Sequence, residues 1–153
     1  MHGYASSAGI GFVAGMRSMS ACAALSWAAS RGRTRGDLIP GGPIARAATT
    51  AAALAEMAGD KMPFAPDRRI PPSFALRIAL GAVGGWALTD RTASPVTGTL
   101  TGMLGAVAGT LIGRAARGGD SKTATGRTKG LGEDLIAASL AIAVIGVAER
   151  QGR

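Results

Sequence analysis

Five ionisable side chains stand inside or against apolar stretches of this sequence: Arg17, Glu56, Asp60, Asp90 and Glu133. A charge at membrane depth is costly, so it is paired, faces a hydrated cavity, or carries a function. Carboxylates and a guanidinium in such a setting fit the binding of an ion, a proton or a small polar solute. Lys61, Arg91 and Asp134 adjoin three of these positions, giving Asp60-Lys61, Asp90-Arg91 and Glu133-Asp134. Arg46, Thr50, Glu56 and Asp60 fall near one helical face, because spacings of three, four and seven bring residues together. Arg17 lies within the first apolar stretch, with too short a stem to reach either surface, and its expected partner is Glu56 or Asp60. Three readings stay open for these charges: a hydrated site, an ion pair that only fixes helix register, or a position at the membrane interface. Asp60-Lys61 and Asp90-Arg91 sit at helix ends, where an interfacial charge pair is the plainer reading. Glu133 and Asp134 open a helix, where acids complement the dipole.

Other chemistry finds little support. His2 is the only histidine and stands at the N-terminus, which argues against histidine base catalysis and zinc binding. The single cysteine, Cys22, excludes an internal disulfide and a multi-cysteine metal site. Gly118-Gly-Asp-Ser-Lys-Thr123 lacks the glycine before lysine that a phosphate loop needs, and no strand precedes it. No serine lies in a nucleophile elbow. No enzyme activity, cofactor or metal is expected.

The elements that must position the charges are helices. The first is expected over Tyr4–Ser30, bent near Gly15–Ser20, and a basic turn follows from Arg31 to Asp37. The second covers Ile44–Lys61 and stops before a loop with prolines at 63, 66, 71 and 72. The third covers Ser73–Thr89, the fourth Pro95–Arg117 and the fifth Leu131–Glu149, with a basic glycine-rich loop from Gly118 to Gly130. On the fourth, Gly98, Gly102, Gly105, Gly109 and Gly113 recur at spacings of 4, 3, 4 and 4. That stripe predicts a close helix–helix contact.

At 153 residues there is room for one domain. Hydrophobic residues make up 47% but aromatics only 4%, with 24 glycines, so the apolar content is largely alanine. Alanine yields little on burial in water, whereas small residues suit helix association in a bilayer. The expected fold is an all-α integral membrane bundle of about five short helices, some broken or re-entrant. Mean hydropathy is a modest +0.25. The net charge of +8 is concentrated in the connectors, which fits loops flanking membrane spans better than a nucleic-acid surface. The first apolar stretch is not expected to be a cleaved signal, since it lacks a basic n-region and carries Arg17.

The segments about 5–61 and 90–149 look alike in plan. Each contains an arginine-polar opening (Met16-Arg-Ser-Met-Ser20, Asp90-Arg-Thr-Ala-Ser94), a basic loop and a later helix with an acid. With helix 73–89 crossing once between them, they would form an inverted repeat. The more basic loop, after Arg114, would place the N-terminus on the cytoplasmic side.

Three stretches carry a family resemblance: Gly15-Met-Arg-Ser-Met-Ser-Ala21, Leu54-Ala-Glu-Met-Ala-Gly-Asp-Lys-Met-Pro63 and Gly132-Glu-Asp-Leu-Ile-Ala-Ala138. The chain resembles the bacterial membrane-protein family called domain of unknown function 4126. The resemblance implies a small, multi-pass inner-membrane protein and brings no catalytic residues. Two functions are expected to compete. One is a small transporter or channel for an ion or polar solute, as a homo-oligomer. The other is a non-transporting module that organises lipids or partner proteins through structural ion pairs.

Overall fold

The computed structural model describes residues 4–59, 71–117, 136, 139–143 and 146, and these contain helices and connections with no strand. The elements are α1 (Ala5–Met16), α2 (Ser18–Ser30), α3 (Pro43–Gly59), α4 (Pro71–Ala87) and α5 (Pro95–Arg117). Proline opens α3, α4 and α5, where its fixed φ suits the first helical position and its missing N–H costs nothing.

The expected first helix is two helices. Arg17 adopts an extended conformation, φ −144° and ψ 105°, between Met16 and Ser18. Beyond it, the chain turns back. Tyr4 lies beside the α4–α5 turn, where its hydroxyl accepts from the Ser94 N–H. The loop after α2 returns to that same end, the Arg35 N–H donating to Ala87 O at 2.7 Å. Midway, Ile10 of α1 and Leu25 of α2 both touch Gly84 of α4. The two helices are thus arms of a hairpin with Arg17 at its tip. This places the N-terminus at the end opposite the exit of α5, the reverse of the topology expected from one continuous first helix.

α3 runs antiparallel to α2, with Thr50 level with Trp27 and Glu56 level with Met19. α4 runs antiparallel to α1, with Gly85 level with Ser7 and Arg77 level with Gly15. α5 crosses both, with Gly98 against Gly85 and Gly109 against Phe12.

The interior mixes polar and apolar side chains. The largest fully buried side chains are Arg17, Ile10, Val13, Ser6, Ser7 and Ser26. Outside, α5 presents Val96, Leu100, Leu104 and Leu111, with Leu104 70% exposed. The glycines of the predicted stripe face inward: Gly98, Gly102, Gly109 and Gly113 are buried, and Gly105 is half-buried. Backbones approach so closely that a Cβ on Gly105 would stand 2.4 Å from Ala8 O. Polar groups tighten the same contact, since the Ser7 and Thr89 hydroxyls both donate to Gly85 O. Leu140 and Ala141, within the predicted fifth helix, are helical and pack on this core.

Among the described residues one helix, Pro95–Ala115, is long and apolar enough to cross a membrane. The apolar helices Ala5–Met16 and Ser73–Ala87 are shorter. The all-α class therefore holds.

Candidate functional site at the helix break

Breaking a helix exposes two sets of backbone groups: carbonyls at the end of the first part and N–H groups at the start of the second. Both sets are met here by charged side chains of matching sign. On the α1 side, Arg77 of α4 donates from one guanidinium nitrogen to Gly15 O and to Met16 O, the latter at 3.1 Å. Thr110 of α5 shares its hydroxyl between Ala106 O at 2.8 Å and Gly15 O at 3.2 Å. On the α2 side, Glu56 Oε2 of α3 accepts the Met19 N–H at 2.9 Å. A cation at a helix C-terminus and an anion at an N-terminus are each favourable against the macrodipole.

Arg17 lies between them and is 2% exposed. Ser18 and Ser20 are buried beside it. Each of α1–α5 therefore contributes to one level of the bundle. That level lies about 22 Å along α5 from Pro95 and about 10 Å from its end, at 1.5 Å per residue.

Nothing local in Met16-Arg-Ser-Met-Ser20 compels a break, since it holds neither proline nor glycine and the N-cap residue Arg17 makes no side-chain cap to α2. The partners that stabilise it stand 37 and 61 residues away in sequence. Tertiary contacts thus decide the conformation of Arg17, which is why the sequence predicts only a bend.

Of the sequence-derived site residues, the structure brings Arg17 and Glu56 to the same break. Arg46, Thr50 and Glu56, from the expected face, each meet α2, and Asp60 lies outside the described residues. The Arg46 guanidinium stacks 4.8 Å from the Trp27 ring centroid and the Thr50 hydroxyl accepts from Trp27 Nε1. Asp60, Lys61, Glu133 and Asp134 lie outside the described residues. Arg77, Thr110 and Ser20 were not expected at the site. Arg77 carried the same signal as Arg17, a guanidinium within an apolar helix, and the rule applied to one applies to the other.

Asp90 and Arg91 belong elsewhere. They form the α4–α5 turn, one α1 length (about 18 Å) from the break. Arg35 Nη2 donates there to the carbonyls of Asp90, Arg91 and Ala93. A cavity of about 500 Å³ opens at this end, lined by Gly32, Thr34, Asp37, Pro40 and Arg91 among others. Asp90 Oδ1 accepts from the Thr92 N–H and then from the Thr92 hydroxyl, and these bonds hold its carboxyl below the ordinary aspartate range. With the folded pKa depressed, the turn's stabilisation is complete above the unfolded value and is lost as pH falls through the folded one. Carboxyl NMR titration should put the Asp90 midpoint below that of an ordinary aspartate. Thr92→Val, which removes only the hydroxyl, should return it part of the way.

Compared with known protein families, curated proteins and solved structures, the chain matches none. What this site can do is accordingly read from its geometry alone.

Proposed function

We propose that this is an integral membrane protein and that it acts as a small transporter or channel for an ion or small polar solute. The observation that carries the reading is a charged helix break set within a bundle whose longest helix, α5, turns Leu100, Leu104 and Leu111 outward. Exposed apolar stripes of this kind mark membrane or protein contacts, and glycine-lined interiors are how membrane helices associate. Helices broken at membrane depth, with their ends turned to charges, are a recurrent way of building solute sites in transporters. An inner-membrane location and assembly into a homo-oligomer belong to the same proposal.

One observation favours a second reading, a non-transporting module that organises lipids or partner proteins. Glu56 and Arg77 each already satisfy a helix end, a role that needs no solute. Flux measurements in proteoliposomes, across a panel of ions and small solutes, separate the two. Transport predicts flux above that of empty vesicles and at least a tenfold change in Glu56→Gln. Tight vesicles, or wild-type flux from Glu56→Gln, overturn the transport reading.

A further inference from the structure

We propose that the cavity beside the α4–α5 turn binds a small zwitterion, a molecule of amino-acid size carrying one ammonium and one carboxylate. The cavity lies about 18 Å from the helix break, so the site stands whether or not the break serves transport.

Two chain segments fastened together enclose it, the loop 31–42 and the turn 88–94. The loop leaves α2 through a tight cap, in which the N–H groups of Arg31, Gly32 and Arg33 donate to the Ala28 and Ala29 carbonyls. Arg35 then staples it to the turn, by its backbone N–H to Ala87 O and by Nη2 to the carbonyls of Asp90, Arg91 and Ala93. Further on, the Ser26 hydroxyl donates to Pro40 O at 2.7 Å. A Cβ on Gly41 would stand 2.5 Å from Ser30 N, so the returning loop lies directly on the end of α2. Pinned at these points, the loop holds open a preformed space of about 500 Å³, a size typical of small-molecule sites.

Three polar side chains that line this space take no part in holding it together: Thr34, Asp37 and Arg91. Neither the Asp37 carboxylate nor the Arg91 guanidinium makes a hydrogen bond or an ion pair among the described residues, with each other included. Arg91 gives the staple only its carbonyl. Thr34 is 9% exposed, and its hydroxyl bonds to no other described group.

The ligand class follows from those two charges. A lone anion would meet Asp37 and a lone cation would meet Arg91, each a like-charge contact. A zwitterion answers both. Its carboxylate suits the planar fork of guanidinium donors, and its ammonium suits the Asp37 carboxylate. The Thr34 hydroxyl can donate to the first or accept from the second.

The test uses the full chain in detergent micelles, titrated with glycine, β-alanine and 4-aminobutyrate. Acetate and methylammonium are the single-charge controls. At least one zwitterion should raise Tm saturably, by about 5 °C at a hundredfold excess over Kd. Neither control should do so at the same concentration. Asp37→Asn and Arg91→Gln should each weaken the apparent affinity at least about tenfold, since each removes a charge-assisted contact, and Thr34→Val about fivefold. None of the three side chains bonds to the rest of the described fold, so the ligand-free Tm of each variant should stay at the wild-type value. Wild type insensitive to all three zwitterions overturns the inference. An equal response to acetate or methylammonium does the same, as does a full response from either charge variant. A zwitterion response without flux in vesicles supports this site and overturns only the transport reading.

Discussion

Replacing Gly102 with alanine should destabilise the protein by about 3 kcal/mol, the upper end of the usual cost of overpacking a tight core. A Cβ at this position would stand 2.1 Å from Gly81 O and 2.8 Å from Gly85 Cα. The obstruction is backbone on another helix, so no side chain can rotate out of its way. The same residue also serves α1, since a Cβ on Gly11 would meet Gly102 O at 2.0 Å. Gly102 is therefore where α1, α4 and α5 converge, and adding one methyl must push α5 off α4 and disturb its seat on α1. The sign of the result is diagnostic. By helix propensity alone, glycine to alanine within a helix should stabilise by about 1 kcal/mol. Packing predicts the opposite and the larger effect. Thermal or denaturant unfolding in micelles, followed by circular dichroism, reads the difference directly. Gly42→Ala is the control, since nothing lies within 4 Å of the added carbon there. A Gly102→Ala protein as stable as wild type would show that α5 does not pack as described.

What the sequence made legible follows from how locally each feature is determined. The glycine stripe on α5 needed only its own spacing, and its glycines pack where the pattern put them, Gly98 and Gly102 on α4 and Gly105 and Gly109 on α1. Arg46, Thr50 and Glu56 each reach α2, Arg46 and Thr50 at Trp27 and Glu56 at Met19. The break at Arg17 did not follow from local pattern, because its geometry is set by side chains arriving from α3 and α4. A bend could be placed near Gly15–Ser20, but its direction depends on contacts that no local pattern encodes. Without the direction, the depth of Arg17 and the side of the N-terminus were both lost. Asp90-Arg91 resembled Arg17 in its polar surroundings yet became an ordinary turn, closed by Asp90 on Thr92 and by Arg35 on three carbonyls.

The two ends of the break explain each other. Had Arg17 remained helical, the Gly15 and Met16 carbonyls would accept backbone N–H groups of the following turn, and Arg77 would be buried without them. Arg77 as a whole is 6% exposed, so its guanidinium cannot turn to solvent from where it sits. Burying a cation at this level therefore favours opening the helix, and the N–H groups freed on the far side become the place where Glu56 docks. Cation, break and carboxylate form one arrangement, which is why a variant at one of them should be felt at all three.

Arg77→Met should consequently cost at least about 3 kcal/mol, more than one neutral hydrogen bond is worth. Methionine fills similar volume and keeps the apolar stem, so packing loss stays small. The cost arises because Gly15 and Met16 lose a charged donor, and hydrogen bonds to charged groups contribute about 1.5–3 kcal/mol each. If α5 spans a bilayer, water cannot replace that donor, and unsatisfied carbonyls there are more costly still. Arg77→Lys should fall between methionine and wild type, because an ammonium retains the charge but not the planar fork of donors. Thr110→Val sets the scale: it removes one neutral hydroxyl, shared between the Gly15 and Ala106 carbonyls, and should cost about 1 kcal/mol. Hydrogen exchange gives a second readout. In Arg77→Met the Met19 amide should exchange faster, since loosening the α1 end of the break frees the α2 end from Glu56. Wild-type stability together with unchanged Met19 exchange would mean that Arg77 does not hold the break open, and the coupling between the two helix ends would fall with it.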